Sequence, residues 1–280
     1  LRRRYVSSPA HSRRHFDCAL TEMVILIHSL WRFTSALVIC ATAFPAALAA
    51  EEVTLFAAAS LKSALDELAE DYSGDTIHIA YGGSSSLTRQ IVQGAPAQLF
   101  VTANQSWMDL LERNAILAQD SRIDLLSNRL ALIAAPGSSV QLSPAPGFDL
   151  AEAVGDGVLA MALVKAVPAG IYGKQALTAL GAWDSVKAKI AQADNVRAAL
   201  RLVATGEASI GVVYATDLGA SSDVRLLGLF PADSHTPIHY PMALIDPATP
   251  DARAVYDFLN SATARAVFAK HGFSNPQEQP

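Results

Sequence analysis

Phe56-Ala57-Ala58-Ala59-Ser60-Leu61 is an apolar run that ends in small residues and a hydroxyl just before an amphipathic segment. Tyr81-Gly82-Gly83-Ser84-Ser85-Ser86-Leu87, downstream, has the same form. Each reads as a strand handing over to a helix whose first turn carries a serine. The first N–H groups of a helix have no partner inside it, and the aligned peptide dipoles favour negative charge at that end. Two such junctions early in one chain point to a tetrahedral oxyanion held by neutral donors.

Working outward, short apolar runs alternate with helical patterns. Val53–Ala58 reads as a strand, after which Leu61, Leu65, Leu68 and Tyr72 fall on one helical face. Strands follow at Thr76–Tyr81 and Leu99–Thr102, with helices carrying Leu87 and Ile91, then Trp107, Leu110 and Leu111. Arg129–Ala135 is a strand closed by Pro136-Gly137, and a Ser/Pro-rich loop runs from Gly137 to Pro146. Beyond it come a strand at Val158–Leu163, helices at Gly170–Leu180 and Val196–Thr205, and strands at Ser209–Tyr214, Val224–Phe230 and Pro241–Ile245. A long final helix is expected to carry Ala254, Tyr256, Phe258, Leu259, Val267 and Phe268. The alternation predicts an α/β fold with mostly parallel sheets in two domains of ordinary size. No internal repeat is read in the sequence.

The first 49 residues have a different character. From Met23, an apolar segment from Trp31 to Leu48, flanked by Arg32, ends in Ala47-Leu48-Ala49, and Glu51-Glu52 then open a polar stretch. This is the layout of a secretory signal peptide starting at Met23 and cleaved after Ala49, with residues 1–22 as upstream sequence. Ser12-Arg13-Arg14-His15-Phe16 has the outline of a twin-arginine signal, but Asp17 and Glu22 intervene before the apolar run. The bulky Ile39 before Cys40 argues against lipoprotein processing. The expected product is therefore exported, soluble and periplasmic.

Both cysteines, Cys18 and Cys40, precede the cut, which removes thiolate metal sites and disulfides from the remainder. The formal charge of the whole chain is −5. The first 49 residues hold six arginines and two acids, leaving 15 basic and 24 acidic residues, net −9, in residues 50–280. That is no nucleic-acid footprint. An anionic ligand would be held by local dipoles against the overall field.

Six motifs occur in register: Ala57-Ala58-Ala59-Ser60-Leu61, Gly83-Ser84-Ser85-Ser86-Leu87, Gly94-Ala95-Pro96-Ala97, Trp107-Met108-Asp109, Val167-Pro168-Ala169-Gly170 and Gly211-Val212-Val213-Tyr214. With them the chain resembles, from Val53 to Phe273, the periplasmic molybdate-binding proteins of molybdate ABC transporters. The resemblance implies a two-lobed type II periplasmic-binding-protein fold with the ligand cleft between lobes. Residues 50–126 and 233–280 would form one lobe and 127–232 the other. It implies a ligand shell of Ser60 and Ser84, each through backbone N–H and hydroxyl, Ala169 and Val196 through backbone N–H, and Tyr214 through its phenol. It also implies molybdate or tungstate as ligand, no cofactor, no catalysis, a membrane permease as partner and a monomeric state. Donors without acceptors suit a fully deprotonated dianion, and fixed dipoles strengthen in a water-poor cleft.

Some positions depart from the family pattern. Ala162-Leu163-Val164-Lys165-Ala166 replaces a usual Gly-Asp-Pro segment and is expected to alter the approach to Ala169. Gln98 and Asn104 stand where acids are usual, and Gly82 and Gly83 where small or hydroxyl residues are typical.

Each candidate also has a plainer reading. Ser60 and Ser84 could be N-caps worth about 1 kcal/mol to their helices, and Tyr214 a core tyrosine. Arg197 reads as an interlobe or solvated ion pair rather than an anion clamp, and Trp107 and Met108 as helix packing. Asp233-Ser234-His235 evokes a hydrolase, yet no G-x-S-x-G elbow exists and contiguous triad residues cannot converge. His78, His235, His239 and His271 lack metal-ligand spacing. The alternatives to a molybdate receptor are the same fold serving sulfate or phosphate, and an exported serine hydrolase.

Overall fold

The computed structural model describes residues 52–74 and 76–278. The expected start at Met23, the cleavage after Ala49 and both cysteines lie outside these residues. No helix among the described residues is long and apolar enough to cross a membrane.

Among the described residues, ten strands form two five-stranded sheets. The first contains β1 (Val53–Ala58), β2 (Ile77–Gly82), β3 (Leu99–Val101), β4 (Ile123–Asn128) and β10 (Ile238–Leu244). The second contains β5 (Leu130–Ala134), β6 (Leu159–Ala162), β7 (Ile190–Ala193), β8 (Ile210–Tyr214) and β9 (Arg225–Leu229). The spatial orders are β2-β1-β3-β10-β4 and β7-β6-β8-β5-β9. In each sheet one strand, β10 or β5, runs antiparallel to both its neighbours. The other four run in one direction, so the mostly parallel expectation describes strand direction, although two of the four pairings in each sheet are antiparallel.

The chain passes from the first sheet to the second between Asn128 and Leu130 and returns between Leu229 and Ile238. The first-sheet strand β4 thus continues two residues past the division expected after residue 126. The two sheets share one topology: β1, β2 and β3 in the first stand where β6, β7 and β8 stand in the second. This equivalence escapes the sequence reading.

Helices α1 (Lys62–Asp71), α2 (Ser84–Val92), α3 (Gln105–Arg113), α4 (Leu150–Val154), α5 (Pro168–Ala179), α6 (Trp183–Val186), α7 (Val196–Ala204), α8 (Pro250–Leu259) and α9 (Ala262–Lys270) flank the sheets. The central strands read as unbroken apolar runs because both faces are covered: every residue of β5, β6 and β8 is buried. Amphipathic faces do the covering, as Ala64, Leu65 and Leu68 do on α1 and Ala199, Leu200 and Val203 on α7.

The expected long C-terminal helix is two. Ser261 ends the run because its side chain accepts from Ala264 N at 3.2 Å, capping α9. Two strands, β4 and β7, were absent from the sequence reading, and both lie at sheet edges. β10 begins at Ile238, three residues earlier than expected.

Candidate functional site

The site is assembled from the carboxyl ends of six parallel strands, three from each sheet, where open α/β sheets bind ligands. Ser60 follows β1, Ser84 follows β2 and Ala103 follows β3; Ala169 follows β6, Val196 follows β7 and Tyr214 ends β8. All six line one small cavity between the two sheets, about 10 Å³ in the space open to the centre of a water-sized sphere. Its remaining lining is Ala58, Ala59, Gly82, Gly83, Val167, Pro168 and Asn195, so no charged side chain faces it. A space of that size holds about one water, which suits a small ion. The structure thus brings Ser60, Ser84, Ala169, Val196 and Tyr214 together.

The plainer reading of the two serines as helix caps does not hold. Ser60 lies inside a short 3₁₀ turn, Ala59–Leu61, that follows Ala58 without a side-chain cap. Ser84 is the first residue of α2, whose cap position is Gly83, again without a side-chain cap. Elsewhere Asn104, Thr249 and Ser261 cap α3, α8 and α9 in the ordinary way. At the cavity the serine hydroxyls are spent differently. Ser84 Oγ accepts from Ala103 N at 3.1 Å, and Ser60 Oγ lies 2.9 Å from the Tyr240 hydroxyl.

The backbone donors arise from helix geometry. Helices α5 and α7 begin at Pro168 and Val196, so the N–H groups of Ala169 and Val196 belong to first turns and have no acceptor within the helix. Asn195 Oδ1 takes the third-residue donor, Ala198 N, at 3.0 Å, leaving Val196 N to the cavity side. The departure at residues 162–166 forms a compact turn: Leu163 N donates to Ala193 O at 2.9 Å and Val167 N to Leu163 O at 2.9 Å. Gly170 then lets α5 start directly over the end of β6, since a Cβ there would collide with the Ala162 and Leu163 carbonyls. Ala169 arrives at the cavity by this turn.

Tyr214 is buried among the residues that line the cavity, with the Tyr240 hydroxyl as a neighbour. Burial holds its phenol well above the ordinary pKa, so it stays protonated and able to donate. Its backbone is pinned by Tyr214 N donating to Asp217 Oδ2 at 3.0 Å. Tyr240, whose ring lies 6.0 Å from that of Tyr214, is likewise buried and protonated.

Arg197, the second residue of α7, points away from the cavity. Its Nε lies 2.6 Å from Asp217 Oδ1, and the Asp217 side chain is 0% exposed. Its Nη2 donates to Ser60 O at 3.1 Å and its Nη1 to Ser63 Oγ at 3.3 Å. The ion pair thus lies buried within the second lobe, neither solvated nor interlobe as the sequence suggests, and the same guanidinium reaches the first lobe through the two hydrogen bonds. The lobes also meet where Trp107 Nε1 donates to Ala166 O at 2.9 Å and Asn104 Nδ2 to the Tyr172 hydroxyl at 3.3 Å. Trp107 is more than helix packing, whereas Met108 is fully buried.

Burial pushes the Asp217 carboxyl up to about 6 even with Arg197 beside it. A carboxyl that holds its proton more tightly folded than unfolded adds stability below the ordinary carboxylate pKa and loses it as pH rises through the folded value. The stability of the protein relative to Asp217→Asn is therefore expected to fall between about pH 4 and pH 7. Urea unfolding of both proteins across that range measures it; a flat difference would show that the carboxyl is not shifted.

Sequence reasoning missed Tyr240, Asn128, Asp217 and Ala103. Tyr240 and Asn128 stand at strand positions that carry no motif; the return crossing places β10, and with it Tyr240, beside Ser60, and the pairing of β10 with β4 brings Asn128 to Tyr240. The hydrolase-like Asp233-Ser234-His235 does not assemble: Ser234 Oγ donates to Pro231 O at 2.6 Å, and His235 Nδ1 lies 2.8 Å from Thr236 O. Among the described residues no group of three or more His, Cys, Asp or Glu is placed to hold a metal ion.

Comparison with known proteins agrees with this geometry. The family described as bacterial extracellular solute-binding protein matches residues 53–274. Molybdate-binding protein ModA of Escherichia coli K12 is 38% identical over 229 residues, covering 80% of this chain and 89% of that protein. ModA of Haemophilus influenzae is 37% identical over 252 residues, covering 88% and 98%. The structure of the Azotobacter vinelandii periplasmic molybdate-binding protein, 22% identical, superposes with a TM-score of 0.71 over 80% of this chain and all of that one, and shares the two-lobed fold.

Proposed function

The chain belongs to the bacterial extracellular solute-binding protein family, and we propose that within it the chain is a periplasmic receptor that captures molybdate, and also tungstate, for an ABC importer. The observation that carries this reading is the convergence of hydroxyl and first-turn N–H donors on a small cavity lined by no charged side chain. Molybdate is a fully deprotonated tetrahedral dianion at neutral pH and needs donors only. Dipoles held in place by the fold gain strength as water is excluded. Molybdate and tungstate are nearly the same size and should bind alike, whereas the shorter bonds of sulfate would leave donors out of reach.

In this reading Ser60, Ser84, Ala169, Val196 and Tyr214 are the ligand shell. Binding draws the lobes together, the membrane permease recognises the closed monomer, and no cofactor or catalytic step is involved. Against the hydrolase alternative, Ser234 and His235 make their hydrogen bonds to Pro231 and Thr236 carbonyls and not to each other.

Calorimetric titration of the purified, anion-stripped protein with molybdate, tungstate, sulfate and phosphate tests the reading. Tight one-to-one binding of the first two alone is expected. Sulfate or phosphate binding as tightly as molybdate would move the protein to another oxyanion. Ser60→Ala and Ser84→Ala should each remove a hydrogen bond to a charged group, about 1.5–3 kcal/mol or roughly ten- to a hundredfold in affinity. Undiminished binding by both variants would place the site elsewhere.

A further inference from the structure

Hydroxyls are ambivalent, since each can donate or accept, and nothing in a serine itself prevents it from turning a lone pair toward a ligand. In this protein the surroundings remove that choice. Arg129 N donates to Asn128 Oδ1 at 2.8 Å. A backbone N–H can only donate, so the atom facing it is the amide oxygen and the Asn128 amide orientation is fixed. Its Nδ2 then donates to Thr216 Oγ1 at 2.8 Å and to the Tyr240 hydroxyl at 3.1 Å. The Tyr240 oxygen accepts there, which leaves its single proton for Ser60 Oγ, 2.9 Å away, where either oxygen can donate, or for the neighbouring Tyr214 hydroxyl. Where Ser60 Oγ accepts, its own proton is free for the cavity that it lines. Ser84 reaches the same condition in one step, because Ala103 N donates to its Oγ.

We propose that Asn128 and Tyr240 are positioning residues for anion selectivity: a one-way chain, Asn128 to Tyr240 to Ser60, compels Ser60 to present its proton to the ligand. The site then offers donors only, and a protonated anion such as hydrogen phosphate meets a donor where its own proton needs an acceptor. This rests on the oxyanion-receptor reading and deepens it, but does not require the ion to be molybdate.

Reversing the head of the chain is the test. Asn128→Asp replaces the donor by a carboxylate acceptor. Tyr240 then donates to it, accepts from Ser60, and turns the Ser60 proton out of the cavity. Tyr240→Phe removes the link without reversing it and covers the case in which a buried carboxylate prevents folding, with circular dichroism as the check.

Affinities for molybdate, tungstate, sulfate and inorganic phosphate would be measured by calorimetry for the parent and both variants. Tyr240→Phe should weaken molybdate about three- to tenfold, one neutral hydrogen bond. Asn128→Asp should weaken it more than a hundredfold while raising the phosphate-to-molybdate affinity ratio at least tenfold. A merely structural role would lower all four anions together in both variants, and that result, or no change, overturns the chain. If the parent prefers sulfate and Asn128→Asp loses that preference, the molybdate reading fails and the chain stands. If the parent prefers phosphate, or binds none of the four, both fail.

Discussion

Gly83→Ala is expected to fold normally and to bind its ligand ten- to a hundredfold more weakly. The backbone of Gly83, at φ −67° and ψ 131°, suits any residue, so the substitution strains nothing within its own lobe. The obstacle lies across the cleft. A Cβ on Gly83 would sit 2.5 Å from Asp194 O and 3.2 Å from Val167 Cγ2. Both partners belong to the lobe that supplies Ala169 and Val196.

Overpacking of this kind costs about 1–3 kcal/mol in a rigid core, and that energy corresponds to roughly ten- to a hundredfold in affinity. Here two lobes joined by two chain crossings can part instead. The cost is thus taken from closure rather than from the stability of the fold. Gly83→Val should bind more weakly still. Calorimetry gives the affinity, and small-angle scattering should show the variant remaining extended in saturating molybdate while the parent contracts. Unaltered affinity would mean that closure does not require this approach.

Arg197→Ala is expected to carry the largest stability loss of any single change at the site. Asp217 is completely buried, and Arg197 supplies its counter-charge. Breaking a buried pair from one side leaves a charge without compensation, a loss of about 3–5 kcal/mol. The loss should be greater at pH 8 than at pH 5, because without the arginine the carboxyl can remain in place only by holding its proton. Arg197→Ala with Asp217→Asn should recover much of the deficit, since the buried charge is then gone. Affinity should drop as well, because the guanidinium also holds Ser60 O and Ser63 Oγ from the opposite lobe. Thermal unfolding of the two single variants and the double variant decides the matter; additive losses would remove the pair from the account.

The parts of this protein that announce themselves in sequence are those whose local chemistry and final role coincide. Val53–Ala58 is apolar apart from Thr54 because β1 lies between two neighbours in its sheet, and the run stops at Ser60 because the turn to α1 also lines the cavity. Two of the four edge strands gave no such signal. β4, Ile-Asp-Leu-Leu-Ser-Asn, and β7, Ile-Ala-Gln-Ala, mix polar residues into short runs because one side lacks a neighbour. The break between α8 and α9 depends on a serine cap that a continuous apolar periodicity conceals.

Within the site, five residues that line the cavity were legible and their supports were not. Ser60 and Tyr240 are 180 positions apart, and no spacing rule links them. Asp217 follows Tyr214 by three residues, yet it reads as an ordinary turn acid until burial and Arg197 show its place. Arg197 itself was legible as an ion pair, since an uncharged shell leaves no task for a guanidinium in the cavity.

The shared strand order of the two sheets has a consequence for the shape of what can be held. Residues after β1 and β6, and after β2 and β7, occupy equivalent places, so Ser60 answers Ala169 and Ser84 answers Val196 across the cleft. A tetrahedron possesses twofold axes. A tetrahedral ion held by these residues would meet the same pattern of N–H groups from each lobe, one pair of oxygens to each, and its symmetry would be that of the two halves.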